Sequence, residues 1–182
     1  MRSAACAFVV VVVVVVVVGL LGLQVEAQQK ATANLRQIAT DHLQVTTYVT
    51  DEAVAPGAAF SLVFEITPRE GIHLYAPGEH GYKIVRVNLE PDPRLVTRPA
   101  EYPPSEIYFF APLKERVPVF QKPFVLRQGM AVSTAPEHRA ALAKIDKMTI
   151  KGTLDYQACD DRVCFLPKSI PVSYTVRLRR AP

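Results

Sequence analysis

Cysteine is scarce in this sequence, three among 182 residues, which excludes a small scaffold held together by many disulfides. Beyond Ala27 no apolar run approaches the roughly 17 to 25 residues of a membrane-spanning helix, because charge, proline or glycine interrupts each within a few positions. Basic residues are scattered, apart from the terminal Arg177-Leu178-Arg179-Arg180, and no aromatic residues interleave with a basic stripe. Nucleic acid is therefore not an expected partner. The formal net charge is a mild +4, and no repeat or low-complexity segment follows the N-terminal region.

What is present begins with export chemistry. Arg2 gives a positive start, Phe8 to Leu23 is an apolar run dominated by valine, and Val25-Glu26-Ala27 is a small-x-small cleavage site. These predict a signal peptide over residues 1–27, a mature chain from Gln28 and no membrane span once the signal is cleaved. A retained N-terminal anchor is the alternative, since the apolar run falls just short of spanning length. Cys6 precedes that run, is badly placed for lipidation, and leaves with the signal. Two cysteines remain, in about 155 residues that can bury a core without needing bridges. Residues 28–41 read as a linker with room for one helical turn, and residues 42–182 as one domain.

Fifteen prolines and eight glycines punctuate short apolar runs, the pattern of a β-rich domain. Strands are predicted at Leu43 to Val49, Ala59 to Thr67, Ile72 to Tyr75, Tyr82 to Leu89, Arg94 to Thr97, Val117 to Leu126, Met148 to Ala158 and Ile170 to Leu178. In the last, Ile170, Val172, Tyr174, Val176 and Leu178 alternate with Pro171, Ser173, Thr175 and Arg177, as in a strand with one buried face. The segments Ala55-Pro56-Gly57, Pro68-Arg69-Glu70-Gly71, Ala76-Pro77-Gly78 and Glu90-Pro91-Asp92-Pro93 supply turns. Together these predict an all-β antiparallel sandwich. Thr134-Ala135-Pro136-Glu137 has capping-box spacing, so Thr134 to Lys144 reads as a short helix or an ordered loop.

The segment Tyr156-Gln157-Ala158-Cys159-Asp160-Asp161-Arg162-Val163-Cys164-Phe165-Leu166-Pro167 joins two of these strands. If the four residues between the cysteines form a hairpin loop, the pair faces across it with Cα atoms about 4.5 to 5.5 Å apart, a gap a disulfide spans. Lys151, Thr153, Asp155, Gln157 and Cys159 share one strand face, which predicts Cys159 on the polar side. The outgoing strand has its apolar face on even numbers, so one extra residue must correct the register. Phe165 to Lys168, with a proline that cannot donate to a ladder, is the predicted place.

Two readings of the pair stand at this level. An inert staple is common in exported proteins, but closing about six residues constrains the unfolded chain by only about 2 kcal/mol. Loop placement and the lack of any other mature cysteine favour a cycling dithiol. Asp160 and Asp161 disfavour a neighbouring thiolate, whereas Arg162 and Lys168 favour one. Cys159, Cys164, His73 and His80 lack the tight ligand pairs of ordinary zinc sites, so no metal is expected.

The run Tyr156-Gln157-Ala158-Cys159, followed by Cys164 and Pro167, resembles the redox motif of the periplasmic N-terminal domain of the thiol:disulfide interchange protein DsbD. Glu70-Gly71-Ile72-His73-Leu74-Tyr75 looks like that family's early strands, and Tyr102-Pro103-Pro104-Ser105-Glu106-Ile107-Tyr108 like the approach to its cap loop. The likeness runs from about Leu43 to Leu178. It implies an immunoglobulin-like fold with one redox disulfide and no cofactor, a thiol-disulfide oxidoreductase of the periplasm. Such a domain passes reducing equivalents from a thioredoxin-like donor to periplasmic substrate proteins. By position Cys164 would form the mixed disulfide and Cys159 would resolve it. His73 and Tyr75 would line the site with Tyr156, Gln157, Phe165 and Pro167, while Glu106, Ile107, Tyr108, Phe109 and Phe110 would approach or cap it.

His73 departs from an aromatic family position, which either adds a titratable group beside the thiols or marks a hydrogen-bonded strand histidine. The sequence ends four residues after Leu178, without the membrane and thioredoxin domains of full-length DsbD. The donor, a thioredoxin-like protein or membrane reductase, is therefore expected in a separate chain. An immunoglobulin-like binding module with a structural disulfide, or an accessory subunit of such a reductase, are the competing readings.

Overall fold

Alternation of apolar and polar residues decides which surface each strand buries. In β2 (Leu43–Val49) the buried positions are Leu43, Val45, Thr47 and Val49, and in β13 (Lys168–Leu178) they are Ile170, Val172, Tyr174 and Val176. Period-two burial of this kind lays one face of each sheet on a common core. The computed structural model describes residues 34–111 and 114–179. The signal peptide and cleavage site read at residues 1–27 lie outside them.

The largest sheet has five strands in the order β1 (Arg36–Ala39), β2, β4 (Ala59–Pro68), β10 (Phe124–Val132), β7 (Leu95–Glu101). A second has the order β3 (Ala53–Val54), β13, β11 (Lys147–Tyr156), β6 (Arg86–Leu89). One cluster joins them, with Leu62, Phe64, Ile66 and Leu126 from the first and Ile150, Leu154, Tyr156 and Tyr174 from the second. Burying each such side chain contributes about 1.5 to 3 kcal/mol. The Tyr174 hydroxyl meets the Thr47 hydroxyl inside this core, and Thr47 in turn donates to the Val63 carbonyl at 2.8 Å. The chain is thus an all-β, immunoglobulin-like sandwich. A third, smaller sheet, in the order β12 (Ala158–Cys159), β5 (His73–Tyr75), β9 (Glu115–Phe120), β8 (Glu106–Phe110), carries the cysteine region.

Several elements differ from the sequence reading. Part of the expected linker is strand β1, in register with β2 from Arg36↔Thr47 to Ala39↔Gln44, and the Asn34 side chain brackets the Thr175 backbone with bonds of 2.8 and 2.9 Å. The single strand expected at Val117 to Leu126 divides into β9 and β10, which belong to different sheets. Pro123, lacking an N–H, falls at the break. Strand β7 runs on through Pro99 to Glu101, which its edge position tolerates. Among the described residues strand pairs are antiparallel except β13 with β3, and the isolated bridges Pro56↔Val132 and Tyr75↔Ile84 are also parallel.

Helix α1 (Pro136–Leu142) forms where a short helix or loop was expected, but its N-cap is Ala135 and no side chain caps it. The capping box read at Thr134 is not made. Pro136 at the first helical position supplies the start instead.

Candidate functional site

The site stands at the tip of the β11–β13 hairpin. Its stem is a regular ladder from Lys147↔Arg177 to Tyr156↔Lys168. Beyond Tyr156 the ladder stops and the cysteines meet as an isolated bridge, Cys159↔Cys164. Three steps separate Tyr156 from Cys159 and four separate Cys164 from Lys168, so one extra residue lies in Phe165 to Pro167. Freed from the stem, the incoming strand becomes β12 and pairs with β5, Ala158 opposite Leu74 and Cys159 opposite His73.

This change of partner decides what the two cysteines face. Ala158 and Leu74 belong to the main core, whereas Cys159 and Tyr75 belong to a second cluster with Val117 and Val119, flanked by Tyr82, Ile84 and Tyr108. Cys159 is 1% exposed. The expectation that it sits on a polar, open face is therefore wrong, because the β5–β9–β8 sheet covers that face at the tip. Cys164 is exposed. The two are joined in a disulfide with Cα atoms 4.1 Å apart, closer than expected.

The loop between them is built on Asp160. Its carboxylate accepts from the Val163 and Arg162 backbone N–H groups at 2.7 and 2.8 Å, which holds its pKa below the usual carboxylate value. Gln157 ties the two sides of the tip, donating to the Phe165 carbonyl at 3.2 Å and accepting from the Lys83 N–H at 3.4 Å. Tyr156 is buried in the core with its hydroxyl 3.1 Å from that of Thr40. Phe165 lies on His42 with ring centroids 4.4 Å apart. Pro167 is exposed and outside the ladder, and Lys168 pairs with Asp41.

Strand β5 brings His73 and Tyr75 to the same face, both buried. The Tyr75 hydroxyl lies 3.4 Å from the Sγ atoms of both Cys159 and Cys164. Burial, with Tyr82, Glu115 and Tyr108 nearby, pushes its pKa up to about 12. Its ring stacks on Tyr82 at 4.2 Å and 4°, and the Tyr82 hydroxyl donates to Glu115 at 2.6 Å. His73 meets Tyr75 edge-on and lies 4.4 Å from the Tyr108 ring. Burial lowers its pKa, and Asp160 partly offsets this.

Of the residues read as a cap, Tyr108 reaches the site by packing on His73. Ile107 and Phe109 point to the other face of β8, where they are 63% and 52% exposed, with Arg116 over the Phe109 ring. Phe110 is half-buried at the end of β8. Glu106 pairs with Lys122 at 2.5 Å. The β8–β9 hairpin thus covers Cys159 and leaves Cys164 open. The zinc set offers no thiolates while the cysteines are bridged, and both His80 ring nitrogens are engaged, by the Ala76 carbonyl and the Tyr82 N–H.

Tyr82, Glu115 and His42 escaped the sequence reading because they arrive from loops and strands with no spacing relation to the cysteines. From the sequence Asp160 stands out only for its charge. Its backbone-capping role was open to view, as aspartate commonly accepts from the N–H two residues on.

Residues 40–174 match the family described as "Thiol:disulfide interchange protein DsbD, N-terminal". The solved N-terminal periplasmic domain of ScsB from Proteus mirabilis is similar in fold, with a TM-score of 0.53 and 15% sequence identity over 76% of this chain and 49% of that one. The chain thus spans about half the length of that structure. No curated protein matches it in sequence. Since the family match takes in β5, β8, β9 and the whole cysteine tip, the chain belongs to the family of DsbD N-terminal domains.

Proposed function

We propose that this chain is an exported, periplasmic thiol-disulfide exchange protein that passes reducing equivalents through Cys159 and Cys164 to partner proteins. One observation carries the reading: the disulfide is asymmetric, with Cys164 an exposed residue and Cys159 enclosed. An attacking thiolate must reach one of the two sulfurs, and the exposed residue Cys164 is favoured over the enclosed Cys159. The mixed disulfide then forms on Cys164 and Cys159 is expelled as a thiolate. A second thiol of the reductant then attacks the reductant sulfur of that mixed disulfide and leaves both cysteines reduced. Once Cys164 has in turn attacked a recipient's disulfide, Cys159 attacks the Sγ of Cys164, the bridge re-forms and the recipient leaves as a dithiol. Family membership supports the same chemistry. The reductant is a thioredoxin-like protein or a membrane reductase, and the recipients are periplasmic proteins with exchangeable disulfides.

The test is a trap. Cys159→Ser leaves the exposed Cys164 without its resolving partner, so it should accumulate mixed disulfides in the periplasm, visible as thiol-sensitive adducts on gels. Cys164→Ser should accumulate none. Equal capture by both variants, or by neither, would overturn the assignment and favour a binding module with a structural bridge.

A further inference from the structure

We infer that Tyr75 is a catalytic residue of the exchange, its hydroxyl donating a hydrogen bond to whichever cysteine sulfur takes up the electron pair when the disulfide opens. The inference rests on the exchange reading above. Its ground is the placement of one oxygen 3.4 Å from two sulfurs that are bonded to each other. Neither sulfur carries a hydrogen in the disulfide, so the hydroxyl must be the donor. It has a single hydrogen and two equivalent acceptors.

When a partner thiolate attacks Cys164, a bond forms between the partner sulfur and Cys164 Sγ, and the Cys159–Cys164 bond breaks. Its electron pair leaves on Cys159 Sγ. Cys159 as a residue is 1% exposed, so water is poorly placed to solvate the new charge, and burial by itself disfavours the thiolate. The Tyr75 hydroxyl is already within reach and needs only to turn its hydrogen. A hydrogen bond to an anionic sulfur is stronger than one to a neutral acceptor, so the contact strengthens as the bond breaks, as transition-state stabilisation requires. In the reverse step the same hydrogen bond holds Cys159 ionised until it attacks, and the expelled partner sulfur takes its proton from solvent.

The surroundings keep the donor in place and protonated. The Tyr82 ring lies parallel to that of Tyr75, Tyr82 is held by Glu115, and His73 closes the edge. With its pKa at about 12, the hydroxyl keeps its proton wherever a thiol ionises, so it donates without transferring.

The experiment uses dithiothreitol as the attacking dithiol on the full chain. Tyr75→Phe should reduce about tenfold more slowly, equivalent to about 1.4 kcal/mol, and the Cys159 thiol of the reduced variant should titrate about one unit higher, as a tenfold loss of thiolate stabilisation requires. Tyr48→Phe, which removes the same atom from a tyrosine on β2 that donates to Glu65 of β4, should change neither. Equal rates and equal thiol titration in Tyr75→Phe and the unsubstituted protein would overturn the role while leaving the exchange reading intact. If Tyr75→Phe does not fold, 3-fluorotyrosine at position 75, a stronger donor, decides: severalfold faster reduction supports the role, and an unchanged rate overturns it. A disulfide in the unsubstituted protein that dithiothreitol cannot reduce would overturn the exchange reading, and this role with it.

Discussion

The stem and the tip of the β11–β13 hairpin are built from one continuous stretch of chain, yet they solve opposite problems. In the stem every residue from Lys147 to Tyr156 has a ladder partner, and Leu154, wholly buried, sits between Val87 and Ile170. In the tip the extra residue in Phe165 to Pro167 ends that ladder and hands Ala158 and Cys159 to a different sheet. The stem commits its backbone and apolar face to stability. The tip frees one sulfur and buries its partner, the asymmetry that ordered exchange needs.

If this division holds, damage to the stem should cost stability without touching redox chemistry. Leu154→Ala should lower the unfolding free energy by about 3 kcal/mol in urea titrations, with an unchanged reduction potential. A shift in potential as large as the stability loss would dissolve the distinction.

Acid should loosen the Asp160 turn of the tip. Because backbone N–H groups of Val163 and Arg162 depress the folded pKa of Asp160, its contribution to loop order is fully present above the ordinary value of 3.8. That contribution is lost as pH falls through the lower, folded value. The Arg162 and Val163 amide resonances should therefore titrate with a midpoint below 3.8, while those of Ile150 and Val172 in the stem stay put. A midpoint above that value would contradict the assignment.

The smallest effect belongs to Leu166, 86% exposed in the tip. Leu166→Ala should change the unfolding free energy by no more than about 0.5 kcal/mol. A larger loss in the same urea titrations would mean that the tip contributes to the fold after all.

Much of the stem was legible in the sequence because its information is local. The alternation at Ile170, Val172, Tyr174 and Val176 reports one buried face, and in the neighbouring sheet β2, equally local, spans the predicted Leu43 to Val49. The register mismatch between the two sides of the hairpin required an extra residue, and proline marked its place. The tip was less legible because its environment comes from afar. Odd-numbered residues before Cys159 are polar and half-exposed or exposed, and nothing near them announces that β5, some 85 residues earlier in the chain, will cover the next one.

The cap illustrates the same limit. Ile107 to Phe110 read as one apolar segment, but strand alternation splits it, sending Tyr108 to the site and Ile107 and Phe109 to solvent. Tyr82 joined the site through a stack on Tyr75 that no periodicity encodes. Side chains positioned by long-range packing were the ones missed.

The central claim is that the Cys159–Cys164 bridge cycles, and its reduction potential tests this most directly. Equilibration of the full chain with glutathione or dithiothreitol buffers should give a value between about −300 and −120 mV, the range of exchanging disulfides. A potential well below about −300 mV would mark a structural bond resistant to the cell's thiols and would contradict the account.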